Sequence, residues 1–174
     1  MLLEVAVTTH TKSVDVAVPV HTAYNQWTQF TEFPEFMEGV ERVDQVDDTH
    51  THWVTSIGGV RREFDAEITE QHPDERVAWK VTSGPKQAGV VTVHRIDDTN
   101  TRIHLQMDFE PEGIVEKAGE VTGAIDSRIQ ADLNRFKNFI ERRGTATGQW
   151  RGDISPPPQN EPNPGQAGPG PSTG

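Results

Sequence analysis

Apolar residues between Gly113 and Arg143 recur at Ile114, Ala118, Val121, Ile125, Ile129, Leu133, Phe136 and Ile140. Steps of three and four keep them on one face, so the spacing predicts an amphipathic helix of roughly 45 Å. Glu116, Lys117, Glu120, Asp126, Arg128, Asp132, Arg135 and Lys137 fall opposite. Upstream the period is near two, which predicts strands at Lys12–Val18, Val40–Val46, His52–Ile57, Val60–Glu70, Arg76–Thr82, Gly89–Ile96 and Arg102–Phe109. Turn residues part the last six: Asp47-Asp48, Gly58-Gly59, Pro73-Asp74, Gly84-Pro85 and Asp98-Thr99-Asn100. After the first strand, Val20, Ala23, Tyr24 and Trp27 share a helical face within 20–29. Pro34 suits the first turn of a second short helix, which Gly39 ends.

Alternation sorts the strands into two faces. Trp53, Thr55, Ile57, Phe64, Ala66, Ile68, Val77, Trp79, Val81, Val91, Val93, Ile103, Leu105, Met107 and Phe109 point one way. The other face carries His52, Glu63, Asp65, Glu67, Lys80, Thr92, His94, Arg102, His104, Gln106 and Asp108. Only a sheet face is broad enough to bury the stripe of so long a helix. The fold class is therefore α+β: an antiparallel sheet of about seven strands curved round a long C-terminal helix, with two short helices after strand one. Such a sheet leaves a space beneath the helix, and that space is the expected site.

The chain has 174 residues, a formal charge of −11 and no cysteine. The charge argues against nucleic-acid partners, whose phosphates need clustered Lys and Arg. The lack of thiols excludes disulfides, thiolate catalysis and zinc–thiolate sites. There is no basic leader and no apolar run long enough to span a membrane, so a cytoplasmic setting is expected. Residues 1–150 read as one ligand-binding domain. Residues 151–174 read as a disordered Pro/Gly-rich tail that cannot bury enough area to fold. Arg151-Gly152-Asp153 matches an adhesion tripeptide by chance, since nothing marks the chain for secretion.

Several segments carry a resemblance in wording as well as order. They are Val16-Ala17-Val18-Pro19-Val20 leading to Ala23-Tyr24-Asn25-Gln26-Trp27, then Phe33-Pro34-Glu35-Phe36-Met37-Glu38-Gly39-Val40. Ala78-Trp79-Lys80-Val81-Thr82-Ser83-Gly84, Gly89-Val90-Val91-Thr92-Val93 and Phe109-Glu110-Pro111-Glu112-Gly113 follow. From residue 11 to 143 the chain resembles the START-like superfamily, in particular its bacterial polyketide cyclase/dehydrase branch. The resemblance implies the helix-grip fold and a cavity for a hydrophobic small molecule: a polyketide, isoprenoid or lipid. It also implies a possible aldol cyclisation and dehydration of a polyketide chain. The alternatives are a non-catalytic lipid or quinone carrier, or a stress-related interaction domain with a filled core; the protein partner is left open.

The expected lining is Trp27, Phe30, Phe33, Phe36 and Met37 from the short helices, and Trp53, Phe64, Trp79, Val91, Val93 and Met107 from the sheet. Ile114, Ala118 and Val121 would line it from the long helix. Gly119 and Gly123 point to a close approach or a mobile helix start, or else to tight packing on Trp79. Arg62 shares the parity of Phe64; it would either point inward, where it could polarise a carbonyl or bind a carboxylate, or lie at the sheet edge with its guanidinium reaching solvent. Tyr24, the only tyrosine, would place its hydroxyl near the cavity mouth. These two are the candidate catalytic groups. His94 is expected to face His104 across its hairpin on the wet face, which also carries His52, two residues from His50, but such a pair lacks a third ligand and an enclosure. No metal and no cofactor are expected.

Overall fold

The structure is a computed structural model that describes residues 8–57, 59–84, 86–110 and 118–155, with backbone alone for 118–122. Seven strands form one antiparallel sheet: β1 (Thr8–Val16), β2 (Val40–Gln45), β3 (His50–Ile57), β4 (Val60–His72), β5 (Arg76–Ser83), β6 (Gln87–Asp97) and β7 (Asn100–Phe109). Their order is β1-β7-β6-β5-β4-β3-β2. The meander is local, but β1 pairs with the last strand, from Thr8 opposite Phe109 to Val16 opposite Thr101. That pairing starts the strand four residues before Lys12 and ends it two before Val18. Alternation within β1 carries no trace of where its distant partner begins.

Helix α1 (Val20–Trp27) and a 3₁₀ helix (Phe30–Glu35) carry the chain from β1 to the opposite edge strand β2. The second short helix starts at Phe30, so Pro34 lies near its end instead of in its first turn. Phe30, Phe33 and Phe36 recur every three residues and are all buried, which is the period of a 3₁₀ helix. Gly39 lies beyond that helix and is itself buried; a Cβ there would come within 2.9 Å of Ile57.

Helix α2 (Ala118–Arg143) has 26 described residues, about 39 Å. Ile129, Leu133, Phe136 and Ile140 are buried on the concave sheet face, as their spacing predicts. The helix start expected at Gly113 lies outside the described residues. Aromatic rings lock α1, the 3₁₀ helix and α2 together: the Trp27 and Phe136 centroids are 4.7 Å apart, and those of Phe36 and Phe136 are 5.1 Å apart. Among the described residues no helix is long and apolar enough to cross a membrane.

Three details correct the expectation. His94 stands opposite Arg102 and His104 opposite Thr92, so the two histidines do not face each other. Two features set this register: Asp97 pairs with Asn100, which shortens the turn, and a bulge between Arg95 and Asp97 shifts it once more; the Asp97 carboxylate accepts from the Thr99 amide and the Asn100 side chain. In β4 the register slips at Thr69, between Ile68 and Glu70. That bulge flips the parity, so Gln71 turns inward and is 1% exposed. Finally, residues 145–155 fold back as a strap. Gln26 exchanges hydrogen bonds with Thr147, and Ile154 pairs with Gln71 on β4. The folded body therefore runs past residue 150, through at least Ser155; residues 156–174 lie outside the described ones.

Within the strap, Arg151 bonds Asn25 and Asp74 and lies over the Tyr24 ring, while Asp153 accepts from His72. Both charged ends of the Arg-Gly-Asp tripeptide are thus held by the protein itself.

Candidate functional site: an apolar cavity beneath the long helix

Between α2 and the concave sheet lies a cavity of about 370 Å³. Its floor is Trp53, Phe64, Trp79, Val81, Leu105, Met107 and Phe109; its roof is Ile125, Ile129 and Leu133; Trp27, Phe33, Met37 and Val40 close one end. Trp53 and Phe64 stack with planes 10° apart, giving the floor a flat aromatic surface. Ile57, Val60 and Arg62 also line it, and all three are exposed. The mouth is therefore the β3–β4 hairpin facing α2.

One glycine shapes the floor. A Cβ on Gly89 would stand 2.5 Å from the Trp79 ring and 2.7 Å from Met107 Sδ. Trp79 thus lies flat against the β6 backbone, which only glycine permits. Gly123 has nothing within 4 Å of where a Cβ would stand. Trp79 packs on Gly89, and no described residue makes a close approach at Gly123.

The polar lining is sparse: Thr55, Arg62, Gln87, Arg128 and Asp132. Thr55 and Arg62 are paired neighbours on β3 and β4, while Arg128 and Asp132 sit one turn apart on α2. Asp132 accepts a hydrogen bond from Arg135, and Arg135 also donates to the Phe36 carbonyl at 3.2 Å. Burial nevertheless pushes the Asp132 carboxyl above its ordinary range, against the opposing pull of Arg135. Asp132 is the only carboxyl on the described cavity wall.

Of the residues expected to line the cavity, Trp27, Phe33, Met37, Trp53, Phe64, Trp79 and Met107 stand on its wall. Phe30, Phe36, Val91 and Val93 do not: they are buried core residues off the wall. Ile114 lies outside the described residues, as do the side chains of Ala118 and Val121. Arg62 reaches the wall at the mouth. Tyr24 does not line the cavity; it is 1% exposed and lies beneath Arg151 on the strap side. Burial raises the Tyr24 hydroxyl above its usual range. The sequence reading missed Arg128 and Asp132 because both fall on the polar side of the helix repeat. Both nonetheless flank the Ile125–Ile129–Leu133 stripe one position away. A ligand-lined helix face is wider than a strict core stripe, and that was the available signal.

A second constellation was invisible in the sequence. His10 is 2% exposed, and its Nδ1 lies 2.8 Å from an Asp126 oxygen. It ties β1 to α2 beside Phe109, with a ring-centroid distance of 5.6 Å. Among the described residues no group of three His, Cys, Asp or Glu is placed to hold a metal ion.

Comparison with known proteins adds three findings. Residues 16–137, more than half of the chain, match the profile of the family described as polyketide cyclase / dehydrase and lipid transport. A 17.2 kDa Streptomyces lincolnensis protein, described as uncharacterized and lying in the melC2-rnhH intergenic region, is 60% identical over 144 residues. The alignment covers 82% of this chain and 96% of that protein. Among solved structures, the Zhui aromatase/cyclase from Streptomyces sp. R1128 superposes with a TM-score of 0.70 at 16% identity, covering 83% of this chain and all of that one (100%). A START superfamily protein from Mycobacterium smegmatis gives 0.71 at 12% identity, over 78% and 98% of the two chains. At such identities the likeness is one of fold, and that fold is the helix grip.

Proposed function

The chain belongs to the polyketide cyclase / dehydrase and lipid transport family, and from that premise we propose that its cavity binds a polyketide-related hydrophobic small molecule. The observation that carries this reading is the 370 Å³ space between α2 and the sheet, walled by aromatic and aliphatic side chains. That volume falls within the range of small-molecule sites, and burying a ligand against such walls is favoured by roughly 25 cal/mol per Å² of apolar area. The polar groups give the ligand a direction. Arg62 at the mouth and Arg128 on α2 attract an oxygen-rich end, while the flat Trp53–Phe64 floor takes the ring or chain.

We further infer that the bound chain is cyclised and dehydrated. Confinement brings its reacting carbons together. An arginine polarises the carbonyl that is attacked, and the Asp132 carboxylate takes the proton from the attacking carbon and returns it to the oxygen that the attack turns into a hydroxyl; in the dehydration it removes the second proton from that carbon and passes it to the departing hydroxyl, which leaves as water. Tyr24 takes no part.

The test is a titration with an anthraquinone-type polyketide, read by tryptophan fluorescence, since Trp27, Trp53 and Trp79 all line the cavity. The wild type gives saturable quenching. Arg62→Ala weakens binding about tenfold or more, as loss of a charge-assisted hydrogen bond does. Quenching that is absent, or equal in the variant, contradicts the reading. Conversion of a poly-β-ketone mimic that falls in Asp132→Asn while binding persists separates catalysis from carriage.

A further inference from the structure

We propose that a second cavity, at the far end of β4 from the mouth of the first, binds a planar nitrogen heterocycle of the adenine type. This cavity has a volume of about 260 Å³ and shares no lining residue with the apolar one. Arg62 and Gln71 stand nine residues apart on β4, roughly 30 Å along the strand.

Gln71 carries the inference. The bulge at Thr69 turns it inward, although it would face outward if the alternation set by Phe64, Ala66 and Ile68 continued. Bulges recur where a side chain must be re-aimed next to a functional site. Gln71 is 1% exposed, lines the second cavity, and neither its amide oxygen nor its amide nitrogen has a hydrogen-bond partner of proper geometry among the described residues. The Tyr24 hydroxyl lies close enough to be influenced by Gln71, but one hydroxyl oxygen serves at most one of the two amide atoms. A buried amide left unmet is costly, so the site asks for a partner with a donor beside an acceptor.

The other lining groups fit the same chemistry. Gln29 and Gln149 are each tethered through one amide atom, to Thr28 and Asn25. Trp150 is fixed by its backbone N–H to Thr28 Oγ1 at 3.0 Å, and its ring lies on Gly152, where a Cβ would come within 2.4 Å. A tryptophan held in this way is a stacking platform. Among the described residues Asp48 is the only charged lining group and no cation lines the cavity, so a phosphate is disfavoured. A glutamine amide pairs with the N6/N7 edge of adenine through two parallel hydrogen bonds. The volume is several times the ~30 Å³ share of one water and suits a single ring system.

The experiment titrates adenine into the ¹⁵N-labelled full chain. The expected result is saturable shifts at the Gln71 and Gln149 side-chain amides and the Trp150 indole. Gln71→Leu keeps the bulk, removes both amide atoms and weakens binding about tenfold or more. Trp150→Ala, a half-buried site with Gln71 intact, also weakens it. Quenching by the polyketide in the first cavity is unchanged in both variants, which shows that they fold. No saturable shift with adenine overturns the proposal. So do shifts that persist in both variants, AMP binding more tightly than adenine, or a crystal grown with adenine that shows only water on Gln71.

Discussion

At the scale of single residues, parity shows which way a side chain points but not how deep it lies. Val91 and Val93 point inward as read, yet they fall where the helices close on the sheet and are packed core. Trp79 and Met107, on the two strands that flank β6, face open space because Gly89 lets the indole lie flat. Gly89→Ala forces Trp79 and Met107 away from the β6 backbone. It is expected to cost about 1–3 kcal/mol in urea unfolding, as overpacking does, and to weaken ligand binding. A variant of wild-type stability would show that the indole has another place to go. Arg62→Ala should do the reverse. The side chain is exposed, so stability stays within about 0.5 kcal/mol while affinity falls. Equal loss of both, or of neither, would count against its place at the mouth.

At the scale of elements, the long helix and the meander were legible because their apolar periods are strong and local. The ends of β1, the 3₁₀ start at Phe30 and the strap were not, since each is set by a distant partner. The strap's contacts continue to Ile154, and we propose a folded unit ending near Ser155. Truncation after Gly144 strips partners from Gln26 and Asn25 and should cost at least about 2 kcal/mol in urea unfolding; truncation after Ser155 should cost nothing measurable.

The strap is also pH-dependent. Asp153, then Glu70, holds the His72 imidazolium above its ordinary range, and His72 holds Asp153 below its own. The His72 contribution is complete below the unfolded value of about 6.5 and is lost as pH rises through the higher folded one. The Asp153 contribution is present above about 3.9 and is lost as pH falls through its lower folded value. The clasp is therefore tightest between about pH 4 and 6.5. NMR titration should place His72 above 6.5 in the wild type and lower in Asp153→Asn. An unchanged His72 would mean that Glu70 alone sets it.

For the molecule as a whole, family and fold were readable from the order of elements and a few worded segments, whereas the ligand was not. A helix grip closes its core with aromatic residues whether or not it leaves a cavity, so composition could not separate a filled core from an open one. The cavity is a property of how α2 sits over the sheet, which rests on contacts such as His10 with Asp126 that link the two ends of the chain. The most direct measurement is native mass spectrometry of gently purified protein, followed by denaturing extraction of what it releases. A stoichiometric polyketide-like or other lipophilic adduct, lost in a variant that fills the cavity from its roof such as Ile125→Trp, is the predicted result. A clean apo mass that stays apo after incubation with polyketide and lipid extracts would contradict a ligand-binding cavity.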